Sequence, residues 1–161
     1  MRSSKDQAKR QASGRSSEEL VAALNARCDT ACVARLWRLF PECRGAPGKM
    51  RPIAKAPCDF AGYMLDGTAR CVLVEVKHTK SKTLRCDALE PHQWAALQAC
   101  DQSGGVAVVL VVSAGQAWAV DFGAFYNERP PSVIEHGVVD YKLHGLLASG
   151  SVPYLSYWSG K

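Results

Sequence analysis

Two opposite charges, Glu75 and Lys77, stand two residues apart at the end of an apolar run over residues 69–76. A run of that composition is typical of a buried strand. Because residues i and i+2 of a strand point to the same face, Glu75 and Lys77 share a face with the apolar Leu73. Charged side chains on a core strand need a partner there or a chemical task.

A second acid, Asp59, lies on the preceding apolar run, and its position relative to Glu75 depends on strand register. An Asp-Gly pair at 66–67 between the two runs predicts a β-hairpin. A two-residue loop at 66–67 points Asp59 away from Glu75, whereas a three-residue loop at 66–68 pairs them directly. Convergence therefore requires an odd loop or a bulge, for which Gly62 is the natural site.

The chemistry open to these three side chains involves a cation. Two carboxylates in contact repel each other unless a cation lies between them, and hard oxygen ligands with open positions suit Mg²⁺ or Mn²⁺. Such a metal polarises a phosphate oxygen and lowers the pKa of a bound water, while Lys77 orients that water or stabilises the developing charge. The set is suited to phosphodiester hydrolysis. The structural alternative is a salt bridge between Glu75 and Lys77, worth less than about 1 kcal/mol if exposed.

These residues resemble the PD-(D/E)xK nuclease superfamily, and within it the Holliday-junction resolvases of the RecU and archaeal Hjc types. Pro57-Cys58-Asp59 resembles the first acidic motif, with one residue inserted after the proline, and Glu75-Val76-Lys77 matches the E-x-K element. Three further segments are similar to these resolvases. They are Gly14-Arg-Ser-Ser-Glu18, Thr79-Lys-Ser-Lys-Thr83 and His92-Gln93, so the resemblance covers about residues 14–126.

The resemblance implies an α/β fold with a restriction-endonuclease-like core, in which helices flank a mixed central β-sheet in the order α-β-β-β-α-β. It implies that one or two Mg²⁺ or Mn²⁺ ions bind in each active site, with no organic cofactor. The metal ligands would be Glu18, Asp59, Glu75 and the backbone carbonyl of Val76. The catalytic set would be Glu18, Asp59, Glu75, Lys77 and Gln93. Glu19 is the alternative to Glu18 in register.

The function implied by the resemblance is a Mg²⁺-dependent, structure-selective DNA endonuclease that resolves four-way junctions by paired symmetric nicks. A four-way junction has approximate two-fold symmetry, so a homodimer with two active sites at a fixed distance is expected. Two alternatives stay open. One is a nuclease of the same superfamily that acts on duplex, flap or single-stranded DNA, and the other is a non-catalytic DNA-binding module with the same fold.

The elements that must position these residues follow from hydrophobic periodicity and from turn signals. A capping box is expected at Asp87-x-x-Glu90, before the second helix. The predicted elements are a helix over 17–29, a strand over 33–40, a hairpin of 58–65 with 69–76, a helix over 88–101, and strands over 106–112 and 117–120.

Positive charge is concentrated in one half of the chain. Of the 161 residues, the first 85 hold 17 of the 20 Lys and Arg side chains and 8 of the 15 Asp and Glu side chains. This asymmetry favours contact of that half with a polyanion. We expect a disordered basic arm over 1–15 and a single nuclease domain over 16–161 that carries an exposed basic loop over 41–57. The predicted DNA contacts are Arg10, Arg15, Lys49, Arg51, Lys55, Lys80 and Lys82.

Several further features restrict location and redox state. No apolar run approaches 18 residues, and the first residues lack the apolar core of a secretory signal, so no membrane contact is expected. A cytoplasmic location is expected, in a bacterial, archaeal or virus-infected host cell.

The seven cysteines are scattered and odd in number, which favours reduced thiols. We expect the four tryptophans, Trp37, Trp94, Trp118 and Trp158, to lie in the core or an interface rather than to stack on bases.

Overall fold

The secondary structure follows the order expected of an α/β domain. The computed structural model of the chain describes residues 19–46, 49, 51–79, 83–85, 88–113, 116–123, 138–140 and 153–159, with the backbone alone at 83–85, 116 and 138–140. Its elements are α1 (described part 19–30), β1 (Ala34–Arg38), β2 (Glu42–Arg44), β3 (Arg51–Ala54), β4 (Phe60–Met64), β5 (Cys71–His78), β6 (Thr83–Arg85), α2 (Pro91–Gln102), β7 (Val106–Ser113), β8 (Gln116–Asp121), β9 (Val138–Asp140) and a 3-10 helix (Tyr154–Trp158).

The central sheet is mixed, as predicted. Its five strands lie in the order β1-β4-β5-β7-β8, and two small two-stranded sheets pair β2 with β3 and β6 with β9. Among the strands that the structure describes in the central sheet, β5 and β7 alone pair in parallel. A parallel pair needs a long crossover connection, and here that connection contains β6 and α2. The predicted order α-β-β-β-α-β is therefore present as α1-β1-β4-β5-α2-β7, with the β2–β3 hairpin inserted after β1.

The two faces of the sheet carry separate apolar clusters. Val21 and Leu24 of α1 pack with one set of β5 and β7 side chains, whereas Leu97 of α2 packs with the alternate set. All eight residues of β7 are consequently buried. Burial on both faces explains why this strand is a continuous run of apolar residues rather than an alternating one.

The 3-10 helix near the end of the chain completes the cluster on the α1 side. Tyr154, Leu155 and Trp158 are buried there. The Tyr154 hydroxyl donates to the Asn25 side-chain oxygen at 2.9 Å, and the Arg70 guanidinium donates to the Trp158 carbonyl at 2.5 Å. No sequence pattern placed this segment, because its role depends on contacts with residues far away in the chain.

The β4–β5 hairpin has the register of an odd loop. Phe60 pairs with Val74 and Tyr63 with Cys71, so the loop is centred on Gly67. The predicted alternative of a bulge at Gly62 is wrong, because Gly62 pairs regularly with both neighbouring strands. Gly62 is required there for another reason. A Cβ at this position would lie 1.8 Å from the Arg35 carbonyl oxygen on β1.

Two other local predictions need correction. The basic segment 41–57 is not a plain loop, because it contains the β2–β3 hairpin, all of whose strand residues are exposed. The second helix begins at Pro91 rather than at 88, and its capping box is formed by Glu90 and Gln93 instead of Asp87 and Glu90. The Glu90 N–H donates to the Gln93 side-chain oxygen, which fixes the start of the helix after Glu90.

The tryptophans and cysteines divide between core and surface. Trp118 and Trp158 are buried and Trp94 is half-buried, whereas Trp37 is 53% exposed, so of the two predicted positions, core or interface, the core is excluded for Trp37. The six described cysteines are free thiols, as predicted. Within the described ranges, no helix has the length and apolarity needed to cross a bilayer.

Replacing Gly62 by alanine tests the close approach of β1 to β4. We expect Gly62→Ala to lower the free energy of unfolding by about 3 kcal/mol, because backbone rather than a flexible side chain must move. Gly67→Ala is the matched control. Its Cβ meets nothing within 4 Å but its φ is +88°, so we expect a loss of about 1 kcal/mol. Urea denaturation measures both, and equal losses would contradict the proposed clash.

Candidate active site

The register of the sheet brings Asp59 and Glu75 together at one end of β5. Continuing the β4–β5 pairing by one residue places Asp59 opposite Glu75. The N–H of Leu39, which directly follows β1, donates to the Asp59 carbonyl at 2.8 Å. The Asp59 carboxylate accepts a hydrogen bond from the Val76 N–H at 2.8 Å. The two acids therefore share a face, and the backbone of β5 fixes the orientation of Asp59.

Glu75 is a buried acid with only one of its two oxygens satisfied. It is 2% exposed. Its Oε1 accepts from the Lys77 ammonium at 2.9 Å and from the Gln93 amide nitrogen at 2.6 Å. Its Oε2 is buried and has no hydrogen-bond partner among the described residues. A buried, unpaired carboxylate oxygen is costly, which makes it a candidate ligand for a cation.

Gln93 is held in one orientation by the start of α2. Its Oε1 accepts from the Glu90 N–H at 2.9 Å and from the Lys77 ammonium at 2.8 Å. Its amide nitrogen then faces Glu75, because the oxygen is already committed to two donors. Glu75, Lys77 and Gln93 consequently form a closed ring of hydrogen bonds between β5 and α2.

The burial of this site raises the pKa of two acidic groups, the Glu75 carboxyl and the Cys58 thiol. Burial raises the pKa of Glu75, the hydrogen bond from Lys77 opposes the rise, and the charge of Asp59 adds to it. Burial, followed by the charges of Glu75 and Asp59, raises the pKa of Cys58 to about 12. Cys58 is therefore a neutral thiol at physiological pH, and it is not available as a thiolate nucleophile.

Glu90 is a site residue that the sequence reasoning missed. Besides donating its N–H to Gln93, it forms an ion pair with Lys55, and the Lys55 hydrogen bond lowers the pKa of Glu90. His92 Nδ1 lies 3.5 Å from the same carboxylate. The Glu-x-x-Gln spacing around Pro91 was the available signal, because it is itself a capping-box pattern at the start of a helix.

The structure brings some of the predicted site residues together and leaves others apart. Asp59, Glu75, Lys77 and Gln93 converge. Glu19 is exposed on α1, whose apolar side packs on the opposite face of the sheet. The residues Arg10, Arg15, Glu18, Lys80 and Lys82 lie outside the described residues.

The remaining predicted contacts lie around the β2–β3 hairpin. Lys49 and Arg51 are exposed on it. Lys55 is also exposed, but its ammonium is engaged by Glu90. The hairpin leaves β1 and returns to β4 at the same end of the sheet as Asp59. Positive charge thus stands near the acids without entering their ring of hydrogen bonds.

A metal at this site would have two side-chain ligands among the described residues. Asp59 and Glu75 supply carboxylate oxygens, and the orphaned Oε2 of Glu75 fits a cation better than it fits an empty, buried position. No group of three His, Cys, Asp or Glu that could hold a metal occurs in the part of the chain that the structure describes. The Val76 N–H, rather than its carbonyl, contacts Asp59, so a ligand role for that carbonyl stays a prediction.

None of the protein-family models matches this chain, and no curated protein gives a significant match to its sequence. The assignment of function therefore depends on the residues and on the geometry described above.

The raised pKa of Glu75 predicts a pH-dependent effect of Glu75→Gln on stability. As pH rises above the usual carboxyl range, the unfolded chain releases this proton before the folded chain does, so ionisation of Glu75 disfavours folding. Gln keeps the Oε1 acceptor and carries no charge. We expect the free energy of unfolding of Glu75→Gln, relative to the unsubstituted protein, to increase with pH.

Urea denaturation between about pH 4 and about pH 8 measures this difference. Glu42→Gln, which neutralises an exposed acid on β2, controls for the loss of one charge. A difference that stays flat or shrinks with rising pH would contradict the assignment.

Proposed function

We propose that this protein is a metal-dependent DNA endonuclease of the PD-(D/E)xK type that cleaves four-way junctions. The observation that carries the proposal is the convergence of Asp59, Glu75 and Lys77 at one end of β5, with one Glu75 oxygen buried and unpaired. A salt bridge alone does not explain the site, because it would not need a second acid beside a buried one.

The order of the elements supports a restriction-endonuclease-like core. The first acid precedes β4, the E-x-K element lies on β5, and Gln93 lies on the crossover helix α2, which packs against β5. This is the order that the resemblance to junction resolvases implies. The mixed sheet with a helix on each face is compatible with the same core.

Each residue of the site has a definite role in phosphodiester hydrolysis. Asp59 and Glu75 would hold one or two Mg²⁺ or Mn²⁺ ions, with Glu18 and the Val76 carbonyl as further ligands. When bound, the metal polarises a phosphate oxygen and lowers the pKa of water. The Lys77 ammonium has three N–H groups, two of which contact Glu75 and Gln93. The third can orient the attacking water or stabilise the negative charge that develops on the phosphate.

Gln93 and Glu90 act by positioning rather than by chemistry. Gln93 fixes both the Glu75 carboxylate and the Lys77 ammonium, and the Glu90 backbone fixes Gln93. A ring locked in this way holds the lysine beside the acids before any substrate binds. Such preorganisation lowers the barrier, because the protein need not rearrange in the transition state.

The charge distribution favours DNA as the substrate. The exposed cations Arg44, Lys49 and Arg51 lie on the insertion that begins and ends at the Asp59 end of the sheet. Cations near a phosphodiester chain increase affinity through the release of counterions. A homodimer would place two such sites around the approximate two-fold axis of a junction and allow paired nicks.

Incubation with labelled DNA tests the proposal against its alternatives. The protein is mixed with a four-way junction and with a linear duplex, each in Mg²⁺ and in EDTA. We expect symmetric nicks in the junction in Mg²⁺ only. Equal cutting of the duplex would support a nuclease of broader substrate range, and junction binding without product at any metal concentration would support a non-catalytic module.

Neutralising either acid separates cleavage from binding. Asp59→Asn and Glu75→Gln should each reduce the rate of cleavage by about 1,000-fold or more, because each removes a metal ligand. Both should still bind the junction in gel-shift experiments, since the exposed cations remain. Asp66→Asn makes the same chemical change at the far end of the β4–β5 hairpin and should cleave normally. Retained cleavage in both site variants would exclude the proposed site.

Metal binding also has a readout that does not depend on activity. Mn²⁺ should raise the free energy of unfolding by about 2.7 kcal/mol at 100 times its Kd, because only the folded state brings the two acids together. Asp59→Asn should lose most of this gain, whereas Asp66→Asn should keep it. Thermal unfolding without DNA measures the effect, and an equal gain in all three proteins would place the ion elsewhere.

A further inference from the structure

An aromatic pair, one exposed ring and one half-buried ring, lies on the same face of the sheet as the two acids. The rings of Trp37 on β1 and Tyr63 on β4 have centroids 5.5 Å apart and an interplanar angle of 50°. Trp37 is 53% exposed, although indole rings usually bury most of their surface. An exposed tryptophan whose ring contacts a neighbouring tyrosine leaves indole surface open to a binding partner.

The strand register fixes the position of this pair relative to the acids. Leu39, Asp59 and Glu75 follow one another across β1, β4 and β5, and Trp37, Ala61 and Leu73 form the next row on the same face. Two residues along a strand span about 7 Å, and neighbouring strands lie about 4.8 Å apart. The distance from Asp59 to the indole of Trp37 is therefore about the length of one nucleotide. Helix α2 packs on β5 and β7, whereas β1 is an edge strand of the sheet.

The charge around the Trp37–Tyr63 pair favours a nucleic acid as its binding partner. The hairpin that leaves β1 next to Trp37 carries exposed Arg44, Lys49 and Arg51, with Glu42 as the acid of its strands. A second copy of this chain placed on the same surface would bring like charges together, which disfavours association. A nucleic acid strand offers the complementary charge on its phosphates and flat rings on its bases.

We propose that Trp37 and Tyr63 form a stacking platform for an unpaired base of the DNA strand held at the Asp59–Glu75 site. The platform rests on the proposed function for its substrate, but it adds a specificity element that the catalytic residues do not supply. A base inside a continuous duplex is already stacked on its neighbours. The platform therefore favours strands whose bases are unstacked next to the cut, as in single-stranded stretches and at branch points.

Tryptophan fluorescence provides a direct test. Trp37 is the most exposed of the four tryptophans, so quenching by a bound base reports mainly on its indole. The protein is titrated in EDTA with a short single-stranded oligothymidine, so that binding is measured without cleavage. We expect the oligonucleotide to quench the fluorescence and to protect the indole from iodide.

The variants separate stacking from other contributions. Trp37→Ala should weaken oligothymidine binding by about 5- to 100-fold, the range measured for the loss of one base–aromatic stack, whereas Trp37→Phe should keep most of the affinity. Phe40→Ala is the control, because Phe40 is 74% exposed and its ring faces Arg38 at 5.7 Å rather than Tyr63. It should bind within about twofold of the unsubstituted protein.

Two results would overturn the platform. One is unchanged oligothymidine affinity in Trp37→Ala. The other is a change from dimer to monomer in sedimentation without a change in affinity, which would make the surface a protein interface. The proposed function fails separately, through the absence of cleavage in Mg²⁺. Loss of affinity in a folded Trp37→Ala, measured by the fluorescence anisotropy of a labelled oligothymidine, supports the platform even then.

Discussion

Burial of the Glu75 carboxylate on a central strand governs how β5 and the start of α2 are arranged. An acid that is 2% exposed on a central strand must be compensated, and here Lys77 and Gln93 compensate one of its oxygens. That requirement links the end of β5 to the first turn of α2. Glu90 therefore lies at the N-cap of α2, where its N–H donates to the Gln93 side-chain oxygen. The second oxygen is left unsatisfied, which is expensive in a purely structural site and useful in one that binds a cation.

The pairing of the strands delivers the second acid to this position. A shift of one residue in the β4–β5 register would move Asp59 to the other face and leave Glu75 without a neighbouring acid. The odd loop centred on Gly67 prevents that shift, and Gly62 lets β1 approach β4 closely enough for Leu39 to hold the Asp59 backbone. The convergence of the two acids is thus a consequence of backbone pairing, and the Val76 N–H orients the Asp59 carboxylate within it.

Two kinds of surface feature lie near the site, exposed cations and aromatic rings. The β2–β3 hairpin presents exposed cations from the end of the sheet where the acids lie, while Trp37 and Tyr63 present flat rings on the same face as the acids. Phosphate contacts of the first kind draw and position a nucleic acid without reading its structure. Stacking of the second kind responds to whether a base is free to stack. Both features adjoin the Asp59–Glu75 pair, so a nucleic acid strand at the proposed site would meet them together.

Most secondary structure elements were predictable from the sequence, because their signals are local. Period-two and continuous apolar runs identified β4, β5 and β7, the E-x-K spacing placed Glu75 and Lys77 on one face, and turn residues located the hairpin. The sequence left the parity of that hairpin open and missed the role of Glu90, the β2–β3 hairpin and the exposure of Trp37. These four features follow from the tertiary structure, since each depends on which strands form the edges of the sheet or on contacts between residues far apart in the chain. Local composition sets what a segment can form, but register and edge position arise from long-range packing.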